Sequence, residues 1–140
     1  MSADQKQAVV NDVTRFILTV GHDVTQDGPN AWRKYFADSP EFFMASEGAM
    51  AFPSSQAATQ GIQAFAKTID HMQLLWGDDL RIDPLTPALA VVGTSWHEIR
   101  VDTQGKTVDE AGYFTGVVEK RNGQWQFRDA HWSSLHPASS

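Results

Sequence analysis

From Ser2 to about Asp23, apolar side chains fall at Val9, Val13, Phe16, Val20 and Val24, three or four residues apart. That spacing puts them in one stripe and predicts an amphipathic first helix. Asp27-Gly28-Pro29 breaks it, and Pro29 suits the first turn of a short second helix carrying Trp32, Tyr35 and Phe36 on one side. Asp38-Ser39-Pro40 stops that helix. Glu41 to Ser46 and Ala49 to Phe52, separated by Glu47-Gly48, read as two short strands with Phe42, Phe43 and Met44 as their apolar content. After Pro53, Ser54 or Ser55 can cap a third helix, whose apolar Ala58, Ile62, Phe65, Ile69 and Met72 again recur every three or four residues.

Beyond that helix the period becomes two. Segments near 72–83, 88–102, 107–121 and 124–136 are rich in β-branched and aromatic residues between turn signals. Asn122-Gly123 is the strongest of those signals, since both residues tolerate the positive φ of a type I′ turn. Helices first and an antiparallel meander afterwards predict an α+β domain, with the N-terminal helices laid on one face of the sheet. No repeat, linker or low-complexity tract divides the chain, so a single domain over 1–140 is expected, with a flexible tail at 137–140.

The last hairpin sets a register. A two-residue loop at Asn122-Gly123 pairs Arg121 with Gln124. Counting outward puts Val118 opposite Phe127, Gly116 opposite Asp129, Phe114 opposite His131 and Gly112 opposite Ser133, all on one face. The other face then carries Glu119 with Gln126, Val117 with Arg128, Thr115 with Ala130 and Tyr113 with Trp132. The first face starts apolar and turns polar above two glycines, which points to a cavity with polar groups at its base. A β-bulge in either strand would flip part of this assignment.

Composition narrows the function classes. The 140 residues are 41% hydrophobic and 20% charged, as in an ordinary globular domain. A net charge of -6 repels phosphate backbones and anionic lipid, so neither a nucleic-acid nor a membrane partner is expected. With no cysteine, thiolate chemistry and Cys-ligated metals are excluded. The N-terminus has no secretory pattern and no apolar run spans a bilayer, so a cytoplasmic protein is expected.

The layout and certain residues together resemble the nuclear transport factor two superfamily, in its SnoaL-like and ketosteroid-isomerase-like branch. The matching pieces are the long first helix, the Pro29-to-Phe36 helix with Trp32, and the third helix with Gly61-Ile62-Gln63-Ala64-Phe65. The closing Asn122-Gly123-Gln124-Trp125-Gln126-Phe127, followed by His131-Trp132-Ser133, is similar to that group's ending. The resemblance covers nearly the whole chain. It implies a strongly curved antiparallel sheet wrapped around a conical hydrophobic pocket (a cystatin-like α+β roll), often dimeric through the outer sheet face. One reaction is not implied, because such folds host isomerases, dehydratases, cyclases and pure binding domains. The aspartate, tyrosine and protonated acid of ketosteroid isomerases have no equivalent trio here.

The candidate catalytic pair is His131 and Asp129. They lie two apart on one strand, where a carboxylate can raise and orient an imidazole general base. Structural histidine is the competing reading. Ser133 fits a hydrogen-bonding role, and Trp32, Tyr35, Phe36, Phe42, Met44, Phe65 and Phe114 are core aromatics and a methionine from which a pocket wall is drawn. Tyr113 and Trp132 suit a cross-strand pair at a subunit interface. Around Thr103-Gln104-Gly105-Lys106, a two-residue loop sends Ser95, His97 and Ile99 inward, and a three-residue loop sends Thr94, Trp96 and Glu98 inward; the spacing leaves both open. Glu98 and Arg100 are expected to be a surface pair of little energetic weight. His22, His71 and His136 are assigned to solvent or the tail, and the histidines form no metal-ligand spacing. The expectation is therefore a pocket for a small hydrophobic molecule, needing neither cofactor nor metal. Its chemistry would be isomerisation, dehydration or cyclisation by proton transfer, with non-catalytic ligand binding or assembly as the alternative.

Overall fold

The computed structural model describes residues 1–135, so His136 and the 137–140 tail lie outside the described residues. Helix α1 runs Ala3–Asp27. The Ser2 hydroxyl accepts from the Gln5 backbone N–H at 3.1 Å, and the Gln5 side chain accepts from the Ser2 N–H at 2.8 Å, a reciprocal cap that satisfies two end donors. Gly28, at φ 84°, closes the helix. The buried stripe is Val9, Val13, Ile17, Val20 and Val24, so Ile17 takes the central place that spacing gave to Phe16. Phe16 sits at the stripe's edge, packed on Tyr35 and Phe127.

Pro29–Lys34 forms a tighter 3₁₀ turn. Strands β1 (Phe43–Ser46) and β2 (Ala49–Phe52) follow, then α2 (Ser55–Ala66), capped by the Ser54 hydroxyl on the Ala57 N–H. The helix stops there. Ile69 and Met72, which spacing assigned to it, belong to β3 (Ile69–Trp76), where both still pack on the core because the pairing with β5 shifts between Ile69 and His71 and so offsets their odd spacing. Then come β4 (Arg81–Thr86), β5 (Leu89–Asp102), β6 (Thr107–Arg121) and β7 (Gln124–Ser134).

These strands make one curved, unclosed sheet in the order β2-β1-β7-β6-β5-β3, with β4 also on β5. The sheet is mixed, which corrects the purely antiparallel expectation: β1 runs parallel to β7. The meander supplies only sequential antiparallel neighbours, and β7 would otherwise end it as an open edge. The hairpin β1–β2 covers that edge.

The predicted type I′ turn is present, with Asn122 at φ 51° and Gly123 at φ 77°. Pairing follows the expected register as far as Val118 with Phe127, then slips by one: Val117 pairs with Asp129. Arg128 is the extra residue of a β-bulge. Beyond it, Gly116 faces Ala130, Phe114 faces Trp132 and Gly112 faces Ser134. The inward set expected on β6 holds, whereas on β7 the set beyond Phe127 is exchanged for its complement. The Asp129 carboxylate accepts from the Val117 N–H at 3.0 Å, holding a backbone donor at the bulge.

The core lies between α1 and the concave face of the sheet. Val13, Ile17, Phe42, Phe114 and Phe127 are fully buried, each contributing roughly 1.5–3 kcal/mol by removal from water. Gly21 carries no side chain where the Trp76 indole crosses α1, and Trp76 Nε1 donates to the Ile17 carbonyl at 2.9 Å. Thr25 Oγ1 accepts from the Leu74 N–H at 2.9 Å, fixing the end of α1 to β3. Among the described residues, no helix is long and apolar enough to cross a membrane.

Candidate functional site

Between the concave face of the sheet, the 3₁₀ turn and α2 lies a cavity of about 250 Å³. Its wall is largely apolar and rich in aromatic rings. Trp32 and Phe36 come from and just beyond the 3₁₀ turn, Phe52 from β2, Phe65 from α2, Trp96 from β5 and Trp132 from β7. Trp132 meets Trp32 and Trp96 edge-on at 5.5 Å and packs on Phe114 at 4.6 Å, so the rings brace one another. Gly61 belongs to this wall because a Cβ there would come within 2.2 Å of the Phe52 ring. The Trp96 indole N–H is buried and has no acceptor among the described residues.

One side of the cavity is ionic. Alternate residues of β5, Trp96, Glu98 and Arg100, all line it, and Glu110 of β6 lies directly opposite Glu98. Arg100 Nη1 donates to Glu98 and Nη2 to Glu110, each at 2.8 Å, so one guanidinium bridges two facing carboxylates. Arg100 also sits 5.6 Å from the centre of the Phe65 ring. Burial pushes the Glu98 carboxyl above its ordinary value against the pull of Arg100, and the charge of Glu110 pushes the same way. For Arg100 burial acts downward, but its two carboxylates more than reverse it.

The loop question is settled by Asp102-Thr103-Gln104-Gly105-Lys106. The Asp102 N–H donates to the Lys106 carbonyl and Gly105 takes φ 82°, which makes a three-residue loop. Thr94, Trp96 and Glu98 therefore point inward. His97 points outward, where it meets Asp109 at 2.5 Å. Glu98 and Arg100 are correspondingly not a surface pair: their side chains are only 16% and 20% exposed.

Of the residues expected at a pocket, Trp32, Phe36, Met44 and Phe65 line the cavity. Phe42 and Phe114 are fully buried in the core. Tyr35 lines a separate groove beside α1, and its hydroxyl donates to Asp23 in a short contact. The bulge places His131, Asp129 and Ser133 on the outer face, away from the cavity lining. His131 and Asp129 do share a face, and no hydrogen bond joins them among the described residues. Burial raises Asp129 above its ordinary range, partly countered by the Val117 N–H. Ser133 donates to the Tyr113 carbonyl at 3.3 Å. Tyr113 and Trp132 form no cross-strand pair: Tyr113 faces out opposite Ser133, and Trp132 faces in opposite Phe114. His22 and His71 are exposed, as expected. Among the described residues, no three or more His, Asp or Glu side chains gather where they could hold a metal ion.

Glu98, Arg100, Glu110 and Trp96 are the site residues that the sequence reading left undecided or unused. The Asp-x-x-Gly-Lys loop carried the needed signal, because glycine at the third loop position marks a three-residue hairpin.

No family model matches the chain, and no curated protein does. Solved structures do. A nuclear transport factor 2 (NTF2-like) superfamily protein from Salmonella enterica serovar Typhimurium is 19% identical, with 95% of each chain covered and a TM-score of 0.79. A putative scytalone dehydratase from Novosphingobium aromaticivorans is 15% identical over 96% of this chain and 89% of that one, with a TM-score of 0.79. LinA is 12% identical over 96% and 92%, with a TM-score of 0.74. Near-complete coverage at such low identity is a likeness of fold, and it agrees with the resemblance read from the sequence: the chain has the nuclear transport factor 2-like fold.

Proposed function

We propose that the cavity binds a compact, largely hydrophobic molecule and that Glu98 moves a proton to or from it without a cofactor. The observation that carries this reading is a carboxylate lining a largely apolar, aromatic-rich cavity, with burial raising its affinity for a proton. Arg100 positions that carboxylate. Two structural neighbours, a putative scytalone dehydratase and a hexachlorocyclohexane dehydrochlorinase, are named for eliminations, a class of reaction in which a base takes a proton. They support the class and no particular substrate.

The test uses a general carbon acid. In D₂O, exchange of the acidic benzylic CH₂ protons of phenylacetone is followed by NMR with the protein, with Glu98→Gln and with His131→Ala. The expected result is acceleration by the wild type and by His131→Ala, and its loss in Glu98→Gln. Loss in His131→Ala alone would return the chemistry to the outer face. Binding without acceleration in any variant would favour a receptor with no turnover.

The proposal extends to a homodimer through the outer sheet face, where Phe43, Leu75, Val91 and Tyr113 are exposed apolar side chains. Sedimentation velocity should give twice the chain mass, and Leu75→Glu with Tyr113→Glu should return one.

A further inference from the structure

Resting on the reading of this cavity as a ligand site, we infer that its ligand carries a positive charge: a compact organic ammonium ion held by Glu98 and Glu110 against the aromatic wall. Glu98, Arg100 and Glu110 are the charged groups among the described residues that line the cavity, and together they leave it one negative charge in excess. The two carboxylates face each other directly across β5 and β6, an arrangement that repels unless cations lie between them. Arg100 supplies one such cation and is fully engaged in doing so, since each of its terminal nitrogens already donates to a carboxylate at 2.8 Å. An anionic ligand would have to displace a protein carboxylate from Arg100 and would leave that carboxylate buried without its partner, which is costly.

A cation meets the opposite situation. Among the described residues, the second carboxylate oxygen of Glu98 accepts no hydrogen bond, and the same holds for Glu110. Aromatic rings attract organic cations to their faces, most strongly when water is excluded, and the Phe65 ring already takes the Arg100 guanidinium in this way. Size bounds the rest of the molecule. A cavity of about 150 Å³ accommodates benzene, so 250 Å³ suits one ring with a short side arm rather than a fused polycycle.

Three probes of matched size separate the alternatives: 2-phenylethylammonium, 2-phenylethanol and phenylacetate, titrated by calorimetry at pH 7. The ammonium should bind about tenfold tighter than the alcohol, and phenylacetate weakest of the three. In Glu110→Gln the ratio of ammonium to alcohol affinity should fall toward one. Added salt should weaken the ammonium alone, a second readout that does not depend on a variant folding. Equal or tighter binding of the alcohol or the acid overturns the charge inference and leaves the cavity reading standing. Binding of none of the three overturns both.

Discussion

Glu98 and Tyr35 are two of the side chains whose shifted proton affinities tie the molecule to pH. Glu98 is held above the ordinary carboxyl value of 4.5 by burial, so the ionised base appears later on a rising pH scale than for a free glutamate. Proton-transfer activity should therefore rise with pH through a midpoint above 4.5, and that limb should vanish in Glu98→Gln, as a pH–rate profile would show. The same shift bears on stability. The folded chain holds this proton more tightly than the unfolded one, so the contribution of Glu98 favours folding at acid pH and fades as pH rises past its folded value. Tyr35 acts at the other end. Burial and its bond to Asp23 push the phenol up to about 12, so the native chain keeps it neutral after the unfolded chain would have ionised it near 10. Its stabilising effect is complete below pH 10 and is lost as pH climbs toward 12. An ultraviolet titration should show a tyrosine component near 12 that disappears in Tyr35→Phe.

At the scale of elements, the decisive feature is the one-residue bulge at Arg128. Asp129→Ala should leave the Val117 N–H without its acceptor, costing about 1–3 kcal/mol in denaturant unfolding, and Asp129→Asn should restore most of that because its amide oxygen accepts the same bond. The bulge also marks where the sequence stopped being legible. Alternation along 107–121 correctly identified Phe114, Gly116 and Val118 as inward, and the turn at Asn122-Gly123 set the pairing up to Phe127. A single unpaired residue then reversed the parity of everything after it. No local composition announces such a residue: Arg128 reads as an ordinary outward position, and the choice falls to Trp132, whose contacts with Trp32, Trp76, Trp96 and Phe114 are all non-local. The helices were legible because their stripes and caps are local, apart from the Ile69 and Met72 overrun. The ionic wall stayed undecided because its facing depends on one loop length.

For the molecule as a whole, the cavity is assembled from two unequal parts. Trp96, Glu98, Arg100, Glu110 and Trp132 stand on β5, β6 and β7, sequential neighbours joined along most of their length. Met44, Ser46, Phe52, Ile62 and Phe65 stand on β1, β2 and α2, and this part joins the sheet through the short parallel pairing of Phe43–Ser46 with β7. Parallel β1 and β7 lie far apart in sequence, so their pairing bears a larger loop-closure entropy than any hairpin in the fold. Native-state hydrogen exchange should accordingly find the amides of β1 and β2 exchanging well before those of β5 and β6. With the charges on the half expected to exchange slowly, the proposed ligand would enter and leave by the breathing of the other half. Occupancy would couple the two, so that a bound guest slows exchange in β1 and β2 while leaving the ionic strands almost unchanged, and residence time becomes a property of the sheet's newest edge rather than of the residues that recognise the guest.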